Sequence, residues 1–397
     1  MNGKFLELAS TFIDPGVPDP RTAFANAIRA WYGGATDVFL YFKGRVGLHA
    51  LCRTLDLREG DEVVLPGYTC VVVPEAFLPF GVRPIYVDVD PATYNAGAEG
   101  ILDALSPRTR MVLVQHTYGI AADVAPVVRE CRPRGIVVVE DACHAFGTMV
   151  GDRPVGTLAD AAFLSGQWNK PFSTGLGGIL LTSNGSLGER LRADPAPMPG
   201  PAMEMELRSL ILLHAATVTP RTYGWAQTAY RMLTAARLVT GSSSPDELAG
   251  RLPPDYFRSM SSAQAEAGIV AARSFALNVR HRERLQGIYG ELLARAGFEP
   301  VRLAPGTVLS RYPVRVGNKP ELVRRGLRAG LEIGSWFETP LHPIPIERHH
   351  SFGYEPGQCP DGERAARQVV NLPVNDRTGD DDAARCVDFL RRHGRPV

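Results

Sequence analysis

Four short apolar runs separated by helix-like segments constrain this chain more than any other feature. The runs are Glu62–Leu65, Arg83–Val87, Met111–Gln115 and Ile136–Glu140. The stretches between them, about Val71–Leu78, Ile101–Leu105 and Ala122–Cys131, have helical character. Short runs rich in valine and isoleucine, alternating with helices, predict a mostly parallel sheet covered on both faces. Two more strands, Ala161–Leu164 and Gly178–Leu181, follow without a helix between them, which a plain alternating repeat does not predict. Ligands of such sheets bind beyond the carboxyl ends of the strands. The run Val137-Val138-Val139-Glu140-Asp141 puts two carboxylates at such an end.

Outside this core, Arg21–Tyr32 reads as an amphipathic helix, and a second helix opens at Gly44 and runs to about Leu55. Residues 185–193 look helical, and the proline-rich stretch 194–201 must be a loop. Residues 203–240 are helix-like and unusually apolar. A long helix is expected from Ser262 to Ala296. The remainder reads as a smaller α+β unit, with strand Tyr312–Val316 and helices Pro320–Ala329, Gly362–Val370 and Asp380–Arg392. The division expected is therefore a large domain over 1–260, with an N-terminal arm and a helical insertion at about 203–240, and a connecting helix plus small domain over 261–397. The formal net charge of +1 gives no reason to expect nucleic acid or an anionic membrane as partner. No apolar run approaches the length of a membrane span. Six scattered cysteines suggest reduced thiols and a cytoplasmic setting.

Arginine outnumbers lysine 39 to 4, and one of the few lysines stands where chemistry would need it. Lys170 closes Leu164-Ser165-Gly166-Gln167-Trp168-Asn169-Lys170, between two strand-like runs and just before Gly175-Leu176-Gly177-Gly178. A strand-end aspartate and an inter-strand lysine are the pair that pyridoxal 5'-phosphate (PLP) chemistry requires. The lysine forms the Schiff base with the cofactor, and the aspartate keeps the ring nitrogen protonated so that the ring accepts electrons. Taken alone, the residues leave two plainer readings open: Lys170 as a solvated surface lysine, and Asp141 as a helix cap.

Further motifs stand in order along the chain. They are Gly60-Asp61-Glu62-Val63-Val64-Leu65-Pro66-Gly67-Tyr68-Thr69, Tyr86-Val87-Asp88-Val89-Asp90 and Gln115-His116-Thr117-Tyr118-Gly119. After these come Glu140-Asp141-Ala142-Cys143-His144-Ala145-Phe146-Gly147, Ser165 five residues before Lys170, and Asn371-Leu372-Pro373-Val374-Asn375. Over roughly residues 40 to 395 the series resembles the DegT/DnrJ/StrS-type family of PLP-dependent aminotransferases, of the fold-type-I (aspartate aminotransferase-like) α/β class. The resemblance implies a large mostly parallel mixed-sheet domain, a smaller α+β C-terminal domain and a homodimer with shared sites. It implies amino transfer from glutamate or glutamine to a keto sugar through a Lys170 internal aldimine. By the same resemblance Asp141 faces the pyridine nitrogen, Ser165 contacts the phosphate, and the backbone of Gly44-Arg45-Val46 at a helix start supplies N–H groups to it.

Several positions depart from the family pattern. Cys70 stands where an aromatic ring usually stacks on the cofactor; Tyr68 could take that part or be a core tyrosine. His144 replaces the usual glutamine and could stack on the ring or meet its phenolic oxygen. Asp255-Tyr256-Phe257-Arg258-Ser259-Met260 resembles a segment whose asparagine reaches the partner subunit's phosphate. That asparagine is missing, and Arg258 could replace it or face solvent. His342, in Pro340-Leu341-His342-Pro343, matches a position near the substrate pocket. The 203–240 stretch reads either as helices burying dimer surface or as a wall for a substrate less polar than a nucleotide sugar, lined by Tyr223, Trp225 and Tyr230. His349-His350 do not make a metal pair, and no metal-ligand cluster is expected. Three classes remain open: an aminotransferase, a PLP enzyme of another outcome (elimination, retro-aldol cleavage or cyclisation), and a non-catalytic PLP-binding protein.

Overall fold

A computed structural model of the chain describes residues 19–397 apart from 35, 219–221, 245 and 254, with positions 223, 224, 227 and 231 described by backbone alone. The expected N-terminal arm lies outside the described residues. The first helix, α1 (Pro20–Trp31), starts where Asp19 caps it and proline occupies its first position. Strand β1 (Asp37–Tyr41) follows and leads into α2 (Gly44–Thr54).

The main sheet adds β2 (Glu62–Pro66), β3 (Arg83–Val87), β4 (Thr109–Gln115), β5 (Val137–Asp141), β6 (Ala161–Gln167) and β7 (Leu176–Thr182). The strand order is β1-β7-β6-β5-β4-β2-β3. Every neighbouring pair from β6 to β3 is parallel, whereas β7 runs antiparallel to both β6 and β1. The carboxyl ends of β1, β5 and β6 therefore share one edge. Residues such as Val112, Val114 and Val138 build an apolar layer on one face, and Val63, Leu65, Met111 and Leu113 build another on the opposite face.

Beyond the sheet, the apolar helix-like stretch expected over 203–240 forms two helices, α3 (Pro201–Thr217) and α4 (Tyr223–Ala235). Helix α5 (Ser262–Arg295) has 34 residues, about 50 Å of rise. A reciprocal pair of bonds between Ser261 and Gln264 caps its start, and Gln264 Nε2 also donates to the Phe42 carbonyl at 3.0 Å. A small antiparallel sheet pairs β8 (Arg311–Arg315) with β9 (Val369–Pro373), and α6 (Asp380–His393) packs nearby. Among the described residues no helix is long and apolar enough to cross a membrane.

Three local expectations need correction. The helix expected over Gly362–Val370 ends at Gln368, because Val369 turns extended and starts β9. The helix expected over Val71–Leu78 is one turn, Val72–Glu75, followed by a 3-10 turn at Leu78–Phe80, with Pro74 and Pro79 denying it a continuous ladder. Strand β1 was not foreseen; its partner β7 lies far along the chain.

Candidate active site

Adjacent residues on a strand point to opposite faces, and β5 uses this to give its two carboxylates different surroundings. Glu140 is fully buried and saturated. It accepts N–H bonds from Gly156, Leu158 and Ala159 at 2.8, 2.6 and 3.0 Å and lies 3.1 Å from His116 Nε2. Asp141 is 7 % exposed, and its carboxylate accepts the Cys143 N–H at 3.0 Å. Burial pushes its pKa up, opposed by the Cys143 bonds and the charges of Lys170 and His116. A desolvated carboxylate of this kind suits a cationic partner brought by a ligand.

Strand β6 leaves the sheet at the same edge and returns as β7. The intervening loop is closed by the Lys170 N–H donating to the Gln167 carbonyl at 2.9 Å and the Thr174 N–H donating to Gly166 at 2.8 Å. Lys170 is half-buried on this loop. Its Nζ lies 4.8 Å from the centroid of the Trp336 ring, a cation–π contact of about 0.5–2 kcal/mol.

The start of α2 abuts β6. A Cβ on Gly44 would stand 3.0 Å from the Leu164 carbonyl and 3.2 Å from Ser165 Cβ, and one on Gly178 would stand 2.2 Å from the Lys43 carbonyl. The two glycines thus bring a helix N-terminus against Ser165, an arrangement suited to an anion. The Val46 N–H is turned back onto the Lys43 carbonyl at 3.1 Å, which leaves that role to the Gly44 and Arg45 N–H groups.

The Arg45 side chain points elsewhere. Its Nη1 meets Glu247 at 3.0 Å and Glu75 at 3.6 Å, and its Nη2 donates to the Ser242 carbonyl and Ser243 Oγ at 2.7 and 3.0 Å. Lys43 Nζ meets Glu247 at 3.2 Å. All four ionisable side chains are largely buried. Burial lowers Lys43 to about 8, opposed first by Glu247. This cluster fastens the segment after α4 beneath the helix start.

Aromatic rings form the other wall. His144 is buried, accepts the Tyr118 N–H at Nδ1 (3.2 Å), and lies 5.3 Å from the Trp336 ring with planes 8° apart. Burial, then the charges of Lys170 and Arg311, hold its pKa well below the ordinary histidine value, so it is neutral with its proton on Nε2. Arg311 approaches the same Trp336 ring at 5.1 Å and pairs with Glu332 at 3.1 Å. Tyr68 is fully buried; its hydroxyl pairs with Tyr118 at 2.7 Å and accepts the Phe337 N–H at 3.3 Å, which makes it a core support. Cys70 pairs in register with His342, and Lys170 and Arg45 are close enough to oppose the burial that raises its thiol pKa. His342 Nδ1 accepts the Glu338 N–H at 3.2 Å.

Other positions singled out from the sequence lie apart in this chain. Arg258 donates to the Asp255 carbonyl at 2.9 Å and pairs with the Asp255 carboxylate at 3.2 Å. Trp225 is 83 % exposed on α4, and the Tyr223 side chain is outside the described residues. Tyr230 turns inward, its hydroxyl donating to the Thr240 carbonyl at 3.0 Å. Sequence reasoning missed Trp336 and Arg311. Neither carried a local signal.

The residues present fit PLP: a buried carboxylate for the ring nitrogen, a lysine within its electrostatic reach, and a helix start beside a serine for the phosphate. The DegT/DnrJ/EryC1/StrS aminotransferase family profile matches residues 19–391. The chain is 26 % identical over 391 residues to the dTDP-4-dehydro-2,3,6-trideoxy-D-glucose 4-aminotransferase of Saccharopolyspora spinosa, covering 97 % of this chain and 91 % of that one. To the L-glutamine:scyllo-inosose aminotransferase of Streptomyces griseus it is 34 % identical over 174 residues, 43 % of this chain and 41 % of that protein. The crystal structure of the aminotransferase TlmJ from Streptoalloteichus hindustanus superposes with a TM-score of 0.71 at 26 % identity, covering 99 % and 96 % of the two chains. The S. venezuelae DesV structure, in complex with a ketimine intermediate, shares the fold with a TM-score of 0.72 at 22 % identity, covering 98 % and 94 %.

Proposed function

The chain belongs to the DegT/DnrJ/EryC1/StrS aminotransferase family, PLP-dependent enzymes of fold type I, and from that premise we propose that it moves an amino group from glutamate or glutamine to a keto sugar or cyclitol-like ketone. The observation that carries this reading is the meeting of Asp141, Lys170 and Ser165 with the start of α2 at one sheet edge. When bound, the cofactor supplies an electron-accepting ring that stabilises the charge left on the substrate carbon. Lys170 holds the cofactor and afterwards, as a free amine, moves the proton at the substrate carbon. Asp141 keeps a proton on the ring nitrogen by placing a negative charge against it. Ser165 and the Gly44 and Arg45 N–H groups fix the phosphate, and neutral His144 offers Nε2–H to the phenolic oxygen. Trp336, approached by both Lys170 and Arg311, shapes the substrate side.

The same reading makes the protein a cytoplasmic homodimer. Supporting the dimer, α3, α4 and the turn after them expose Met205, Leu212, Leu213, Trp225, Met232 and Leu238, a concentration of apolar surface unusual for a monomer. The test is an absorbance spectrum of the PLP-loaded protein before and after L-glutamate and, separately, L-glutamine. Loss of the yellow band with growth of the pyridoxamine band and release of the 2-oxo acid is the expected result. A bound cofactor that answers neither donor would refute the assigned donors and favour a non-transamination outcome.

A further inference from the structure

The loop that carries Lys170 is held from outside by a helix that the sequence marks only as an apolar insertion. Trp168, two residues before Lys170, lies flat on His214 of α3, with ring centroids 4.3 Å apart and planes 21° apart. Tyr230 of α4 meets the same indole edge-on at 6.4 Å. On the far side of the loop, Gly175 leaves room for this packing: a Cβ there would stand 3.1 Å from Ile211 Cγ1 and 3.2 Å from Trp168 Cη2. Gly175 also has a φ of +87°, so the tight return into β7 needs glycine on two counts.

Helix α3 is a firm support for this stack. Glu204 accepts the Ser262 and Ala263 N–H groups at 3.1 and 2.7 Å, which caps α5, and Arg208 holds Glu266 through bonds of 2.6 and 2.9 Å. The lysine turn itself spans only Gln167 to Lys170, all four residues half-buried, and Trp168 is its one large side chain. The position of the Lys170 backbone is therefore tied to the α3–α4 pair in part through this indole, which also packs against the cluster of Phe42, Leu176 and Leu207.

We propose that His214 is a positioning residue for Lys170: its imidazole holds Trp168, and through Trp168 the turn that aims the lysine amine at the cofactor. The proposal rests on the reading of Lys170 as the cofactor-bearing residue. It gives the helical insertion a part in the reaction, apart from any surface it covers. A small displacement of a reacting group costs about 10–100-fold in rate, and that is the effect expected on losing the stack.

The test compares wild type with His214→Ala and His214→Phe, the second keeping a flat ring on Trp168. Three readouts are taken on the PLP-loaded proteins: borohydride trapping with mass mapping of the modified lysine, the pH midpoint of the bound cofactor's visible absorbance, and the single-turnover rate with L-glutamate. His214→Ala is expected to shift the midpoint and to slow the turnover about 10–100-fold, and His214→Phe to restore both. Unchanged midpoint and rate in His214→Ala would overturn the proposal, as would His214→Phe equally impaired. Failure to trap Lys170 in wild type would instead overturn the cofactor reading beneath it.

Discussion

Glu75 gives a sharp energetic test of how the helix start beside the site is supported. Its carboxyl is buried, neither oxygen has a hydrogen-bond partner, and Arg45 Nη1 stands 3.6 Å away. On the same guanidinium, Glu247 sits at 3.0 Å and also receives Lys43 and the Ser244 N–H. Burial opposes charge on both acids. At Glu247 the charges of Arg45 and Lys43 outweigh it and hold the pKa below the usual range. At Glu75 burial prevails over Arg45 and raises the pKa from 4.5 to about 8. At neutral pH Glu247 therefore carries the charge and Glu75 the proton, and the 3.6 Å contact is not an ion pair there. Because the folded value lies above the unfolded one, the stability from this group is complete below about pH 4.5 and is lost as pH rises through about 8. Glutamine copies the neutral acid and does not titrate. Glu75→Gln should match wild type near pH 4.5 and exceed it by about 3 kcal/mol at pH 7 and about 5 kcal/mol above pH 8. Urea unfolding of both proteins at several pH values between these limits measures the gap. A variant less stable than wild type at pH 7, or a gap that does not change with pH, would refute the assignment of the proton to Glu75.

Lys170→Ala should remove the visible band of lysine-bound cofactor while leaving the melting temperature within a few degrees of wild type; a normal band in that variant would sink the assignment. Asp141→Asn removes the charge facing the ring nitrogen and should slow the glutamate half-reaction by about 10²–10³-fold, read by stopped-flow absorbance, with cofactor still bound. Ser165→Ala, by deleting a hydrogen bond to a charged group, should weaken PLP binding by about 10–100-fold in a fluorescence titration, and a change below about threefold would remove Ser165 from the phosphate cradle.

The sheet was legible because its parallel strands carry runs of buried apolar residues, as β2 does from Val63 to Pro66. Strand β7 was seen only in part. The expected strand Gly178–Leu181 omits Leu176 and Gly177; Gly177 is there because Thr174 and Met260 leave no room for a Cβ, and Gly178 because the start of α2 crosses so close. The start of β9 was hidden by the opposite effect, since Val369 and Val370 extend the apolar face of the preceding helix. At the site, Lys170, Asp141 and Ser165 carried local signals: scarcity, a strand end, and fixed spacing. The direction of the Arg45 side chain did not, because the carboxylates that claim it lie at positions 75 and 247, distant in sequence and joined only by the fold. Trp336 shares that difficulty, its neighbours being 144, 170 and 311.

The neighbouring carboxylates of β5 also bear on how the chain avoids a wrong alignment. A one-residue slip of a strand exchanges its two faces, and here it would still leave an acid facing Lys170, with Glu140 in place of Asp141. Charge alone would not reject that error. The three N–H groups of Gly156, Leu158 and Ala159 would, because they converge on a glutamate carboxylate, and Val139, which the same slip brings to that place, would leave them unmet and buried. The basket around Glu140 thus proofreads the register of the strand, and the fidelity with which Asp141 is aimed is set on the face of the sheet that never meets the substrate.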